Sequence, residues 1–96
     1  MNRLINVGFG NVVNSNKIIG IISPDAAPVK RMVQSAKDTG MAIDATCGRR
    51  TKAVIVTESG HLVLSSLLPE TIAGRINQFS AKETSDNQEI YPVSAE

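Results

Sequence analysis

Three cations fall within four residues at Arg49-Arg50-Thr51-Lys52, directly after Gly48. Like charges crowded on one turn repel each other, so folding gains nothing from them unless an anion compensates. Paired guanidinium groups hold phosphate oxygens in bidentate fashion, and glycine lets the backbone come close to a partner. The candidate chemistry is therefore polyanion binding, with Arg49, Arg50, Thr51 and Lys52 as contacts. The plain alternative is a solvated hairpin turn with incidental arginines. Lys17, at a turn-to-strand junction, and Lys30 and Arg31, near a helix start, are further candidates on the same grounds. Each also fits an ordinary solvated face. Lys30 and Arg31 lie about 100° apart around a helix, so they need not face one partner.

Other reactive groups are sparse. Cys47 is the single cysteine and His61 the single histidine. A thiol lowered in pKa by Arg49 and Arg50, with His61 as base, would make a nucleophile. Nothing in the sequence brings the two together. Cys47 reads as a small strand-end residue and His61 as a surface strand residue. One Cys and one His fall short of a metal site. Gly8-Phe9-Gly10-Asn11 lacks the Gly-Lys-Ser/Thr ending of a phosphate loop and opens no helix. It reads as a structural turn or bulge, with Phe9 as a packing anchor. No carboxylate pair is poised for acid–base work. The expectation is a binding protein and not an enzyme, with no cofactor, no metal and no small-molecule substrate.

These side chains need a scaffold, and 96 residues suffice for one domain. A core of that size leaves little stability in hand. With one cysteine no intrachain disulfide can help, which fits a reducing compartment, so oligomerisation is the next way to bury apolar surface. Leu4-Ile5-Asn6-Val7 is a short strand, and Val12-Val13 resumes extended character. Lys17-Ile18-Ile19-Gly20-Ile21-Ile22 is a strand whose unbroken isoleucines suggest burial on both faces. Ser23-Pro24-Asp25 has helix-start chemistry, although Pro28 delays the regular helix. That helix carries Val29, Met32, Val33 and Ala36 on one face and stops at Gly40. Strands follow over Met41-Ala42-Ile43-Asp44-Ala45, over Ala53-Val54-Ile55-Val56 and over His61-Leu62-Val63-Leu64-Ser65, the last two joined by a hairpin at Glu58-Ser59-Gly60. Pro69-Glu70-Thr71 opens a second helix. The order reads ββαβββα, an α+β fold with a small antiparallel-rich sheet and one or two helices packed on one face.

After about residue 78 the chain turns rich in Ser, Asn, Glu and Lys. The expected division is a folded domain over 1–78 and an acidic, disordered tail over 79–96. Net charge is only +1, but residues 1–52 hold eight cations against three anions, while residues 77–96 hold Lys82 against four acids. An acidic tail on a basic body is common in nucleic-acid binders. Phe9, Phe79 and Tyr91 are the only aromatics, which argues against stacking of single-stranded bases. No signal peptide or membrane-length apolar run is visible, so a cytoplasmic, membrane-free protein is expected.

Three segments together resemble a known family: Asn6-Val7-Gly8-Phe9-Gly10-Asn11, the stretch from Ser23-Pro24-Asp25 to Val29-Lys30-Arg31, and Asp44-Ala45-Thr46-Cys47-Gly48-Arg49-Arg50-Thr51. In this order and spacing they look like the RemA family, regulators of extracellular-matrix genes in spore-forming bacteria. The likeness runs from about Leu4 to Arg75. It implies a transcriptional regulator that assembles into a homo-oligomeric ring and engages double-stranded DNA along its basic outer rim, so a nucleoid location. It implies DNA contact for Arg49 and Arg50, and for Lys17, where the family pattern has an arginine. Lysine there keeps the charge but not the bidentate geometry. Cys47 and the acidic tail also depart from the pattern. Two other readings use the same basic turn: an RNA-binding or ribosome-associated protein, and a structural ring or adaptor holding an acidic protein.

Overall fold

The structure is a computed structural model and describes residues 3–83. β1 (Leu4–Gly8) and β2 (Asn11–Asn14) pair antiparallel as a small two-stranded sheet. A short 3-10 turn (Ser15–Lys17) leads to β3 (Ile18–Ile22), followed by α1 (Ala27–Asp38), β4 (Ala42–Asp44), β5 (Ala53–Thr57), β6 (Leu62–Ser65) and α2 (Pro69–Glu83). The larger sheet runs β3-β5-β6-β4, with β4 parallel to β6 and the other pairs antiparallel. The α+β class agrees with expectation, but the order is βββαβββα. The additional strand is β2, where Asn11 and Asn14 bracket just two valines. Its pairing with β1, across an irregularity between Asn6 and Gly8, makes it a strand.

Each face of the larger sheet is covered. Val54, Leu62 and Leu64 pack with Ala36, Val29 and Val33 of α1. Ala53, Ile55 and Val63 point the other way, onto Ile5 and Val7 of β1 and Ile72 and Ile76 of α2. The helices therefore lie on opposite faces and not on one. Period-two alternation sends successive residues of β5 and β6 to two different cores, which is why both strands are apolar up to their last residues, Thr57 and Ser65. β3 is an edge strand with Ile19 68% exposed, so its isoleucines are not buried on both faces within this chain.

Ser65 joins the layers. Its buried Oγ donates to Val7 O at 2.7 Å and accepts from the Leu67 N–H at 3.0 Å. The first turn of α1 differs from expectation. Ala26 is the N-cap and contributes no side-chain bond, while Ser23 instead accepts from the Asp25 N–H in the turn before it. α2 continues to Glu83, past the expected boundary at residue 78. The rest of the tail lies outside the described residues.

Because β6 separates β4 from β5, residues 45–52 must arch over the C-terminal end of β6. The arch is tied down at both feet: Ala45 donates its N–H to Leu64 O at 2.9 Å, and Lys52 donates to Ser65 O at 2.8 Å.

Candidate nucleic-acid interface

The basic turn is the crest of this arch. Asp44 Oδ1 accepts from the Thr46 hydroxyl at 2.6 Å and from the Thr46 N–H at 2.8 Å. The hydroxyl first, then the amide, and the charge of Lys37 as well, hold the Asp44 carboxyl below the usual carboxylate range against a smaller opposing effect of desolvation. The Arg49 N–H then returns to Thr46 O at 3.0 Å. Between them Cys47 (φ 55°) and Gly48 (φ 81°) are both left-handed. Two positive φ values at the centre mark a primed type I turn, which glycine adopts freely and cysteine only with strain. Cys47 is exposed inside this turn and does not end a strand. His61 precedes the opposite end of β6, with Nδ1 2.6 Å from Ser59 Oγ, so no Cys–His pair forms. Among the described residues no group of three or more His, Cys, Asp or Glu is placed to hold a metal. No described helix is long and apolar enough to cross a membrane.

The two arginines diverge. Arg49 places its guanidinium carbon over the Phe9 ring, 5.3 Å from the centroid. Phe9 is 51% exposed at the tip of the β1–β2 hairpin, so it is no packing anchor. Arg50 instead lines two shallow concavities on its other side. One, about 370 Å³, is shared with Lys30, Gln34 and Lys37 of α1 and with Asp25. The other, about 340 Å³, is shared with Ser23, Lys52, Leu68 and Glu70. Thr51 lines both.

Lys30 thus joins Arg50, while Arg31 lines neither concavity. Lys17 is elsewhere. β3 and β5 are antiparallel, with Ile18 opposite Thr57 and Ile22 opposite Val54. Lys17 therefore sits at the far end of the sheet, where it pairs with Glu58 at 3.7 Å. Sequence reasoning missed Lys37. Its signal was available, since Lys30 and Lys37 are two helical turns apart and share a face. It also misread Phe9, whose partner is forty residues away in sequence and legible only in three dimensions.

A family model described as Extracellular matrix regulatory protein A-like, RemA-like, matches residues 4–76. A protein of Lachnoclostridium phytofermentans is 63% identical over 91 residues, covering 95% of this chain and 97% of its own. One of Acetivibrio thermocellus is 51% identical, covering 92% of this chain and 97% of its own. One of Desulfitobacterium hafniense is 56% identical, covering 91% and 92%. All three are named only for a regulatory role.

Proposed function

The chain belongs to the RemA-like family of regulatory proteins, and from that premise we propose that it regulates transcription by holding the backbone of duplex DNA against its Arg49–Arg50 end. One observation carries the reading. Arg50, Lys52, Lys30 and Lys37 line adjoining concavities, Arg49 stands on the same turn as Arg50, and among the described residues none of them forms an ion pair. Unpaired cations on a stable scaffold attract phosphates and release counterions on contact. Arg50 and Lys30 face a concavity open to a phosphate, and the Thr51 hydroxyl can donate to the same group. Backbone contacts of this kind give affinity with only mild sequence preference.

One subunit offers few phosphate contacts, and a homo-oligomeric ring would multiply them through effective concentration. The surface suits self-association. β3 leaves an unpaired edge bearing Ile19, and Leu4 and Val12 are 58% and 54% exposed on the small sheet. Lys17 reaches the same DNA only from a neighbouring subunit of such an assembly.

The test is a gel-shift with labelled duplex DNA and with duplex RNA and single strands as competitors. Wild type should prefer duplex DNA. The Arg49→Ala/Arg50→Ala variant should lose about a hundredfold in affinity, since each charged hydrogen bond contributes roughly 1.5 kcal/mol or more. Its elution on a sizing column should not change. Undiminished affinity, or preference for RNA, would overturn the reading.

A further inference from the structure

The segment Gly8-Phe9-Gly10 is a place where the fold accepts strain without an evident packing return. All three residues have positive φ, at 118°, 53° and 78°. For glycine that is ordinary, but a bulky aromatic in the left-handed region is a genuine outlier. The conformation is held from both sides. The Gly8 N–H donates to Asn6 Oδ1 at 2.7 Å, and Asn11 Nδ2 donates to Gly8 O at 2.9 Å. The ring so presented is about half exposed, and its charged neighbour is Arg49, itself raised on a second left-handed turn at Cys47 and Gly48. Two strained turns from distant parts of the chain therefore meet in one cation–π contact.

The contact has a use that a salt bridge would not. A carboxylate beside Arg49 would occupy its hydrogen-bonding fork and cancel its charge. A ring face limits where the guanidinium can go and leaves charge and N–H donors to an outside acceptor. Among the described residues no carboxylate pairs with Arg49. We propose that Phe9 is a positioning residue for Arg49: the left-handed Gly8-Phe9-Gly10 turn presents an aromatic platform that holds the guanidinium in place for a DNA phosphate. This rests on the duplex-DNA reading above, and it adds a second, non-basic segment to that site.

The experiment compares full-length wild type, Phe9→Leu, Phe9→Tyr, Arg49→Ala and the Phe9→Leu/Arg49→Ala double variant. The probe is a fluorescein-labelled mixed-sequence duplex, and anisotropy is read after a circular-dichroism check of folding. Phe9→Leu keeps apolar bulk without a ring, and should weaken binding on the order of two- to five-fold, the scale of an exposed cation–π contact. Phe9→Tyr should stay close to wild type. In the Arg49→Ala background Phe9→Leu should cause no further loss, because its effect passes through the arginine. Should Phe9→Leu bind like wild type, or weaken binding equally with and without Arg49, the positioning role is overturned. Should Arg49→Ala itself leave affinity intact, the duplex-DNA reading of this arginine fails instead.

Discussion

At the scale of single residues, the site is a set of backbone choices that aim charges outward. Cys47 occupies a left-handed position ahead of Gly48, and the side chain best suited to such a position is asparagine. Cys47→Asn should therefore raise the melting temperature by a few degrees, corresponding to about 0.5–1 kcal/mol of relieved strain. Cys47→Val should lower it, and thermal melts of the three proteins check the ordering. Equal melting temperatures would show that the turn carries no strain. The cations of residues 49–52 were legible in sequence because their crowding has no rationale inside a fold. The divergence of Arg49 toward Phe9 and of Arg50 toward α1 was not. Adjacent residues beyond a reversed turn point to different neighbours, and those neighbours come from segments far away in sequence.

At the scale of elements, Asp44 and Thr46 form the hinge between β4 and the arch. The folded carboxyl of Asp44 titrates below its usual value. Its stabilising contribution is therefore fully present above the unfolded pKa of about 3.9, and is lost as pH falls through the lower folded value. Asp44→Asn retains an acceptor oxygen for Thr46 but has no proton to gain. Between about pH 6 and about pH 3 the wild-type melting temperature should fall more steeply than that of Asp44→Asn. Parallel curves would show that the charge of Asp44 adds nothing to the clasp. Sequence patterning located the apolar runs of β5 and β6, both helices and the hairpin at residues 58–60. It placed the helices on one face, whereas they lie on opposite faces. Val54 and Ile55 are equally apolar, and only the chain path decides that one meets α1 while the other meets β1 and α2. β2 read only as extended chain because two valines between asparagines carry little periodicity, and it is the pairing with β1, across the irregularity between Asn6 and Gly8, that makes it a strand.

At the scale of the whole molecule, the cations of α1 and of the arch come from separate segments but face one end. Each phosphate neutralised contributes about −0.9 to the slope of log affinity against log salt. Lys37→Ala should make that slope shallower by roughly this amount per engaged subunit, with binding still detectable at low salt. A fluorescence titration across salt concentrations measures it, and an unchanged slope would remove Lys37 from the contact surface. The arch over β6 has one more consequence, which concerns time rather than geometry. β5 and β6 are sequence neighbours and can zip together as a local hairpin, whereas β4 has no strand to join until β6 exists. Its feet at Ala45 and Lys52 bond to Leu64 and Ser65, residues that leave the ribosome after the arch itself. The basic turn can then set only once β6 is in place, so a nascent or half-folded chain carries the arginines without the arch that aims them. Such a chain would show an outside anion scattered charges and no fixed pattern of donors.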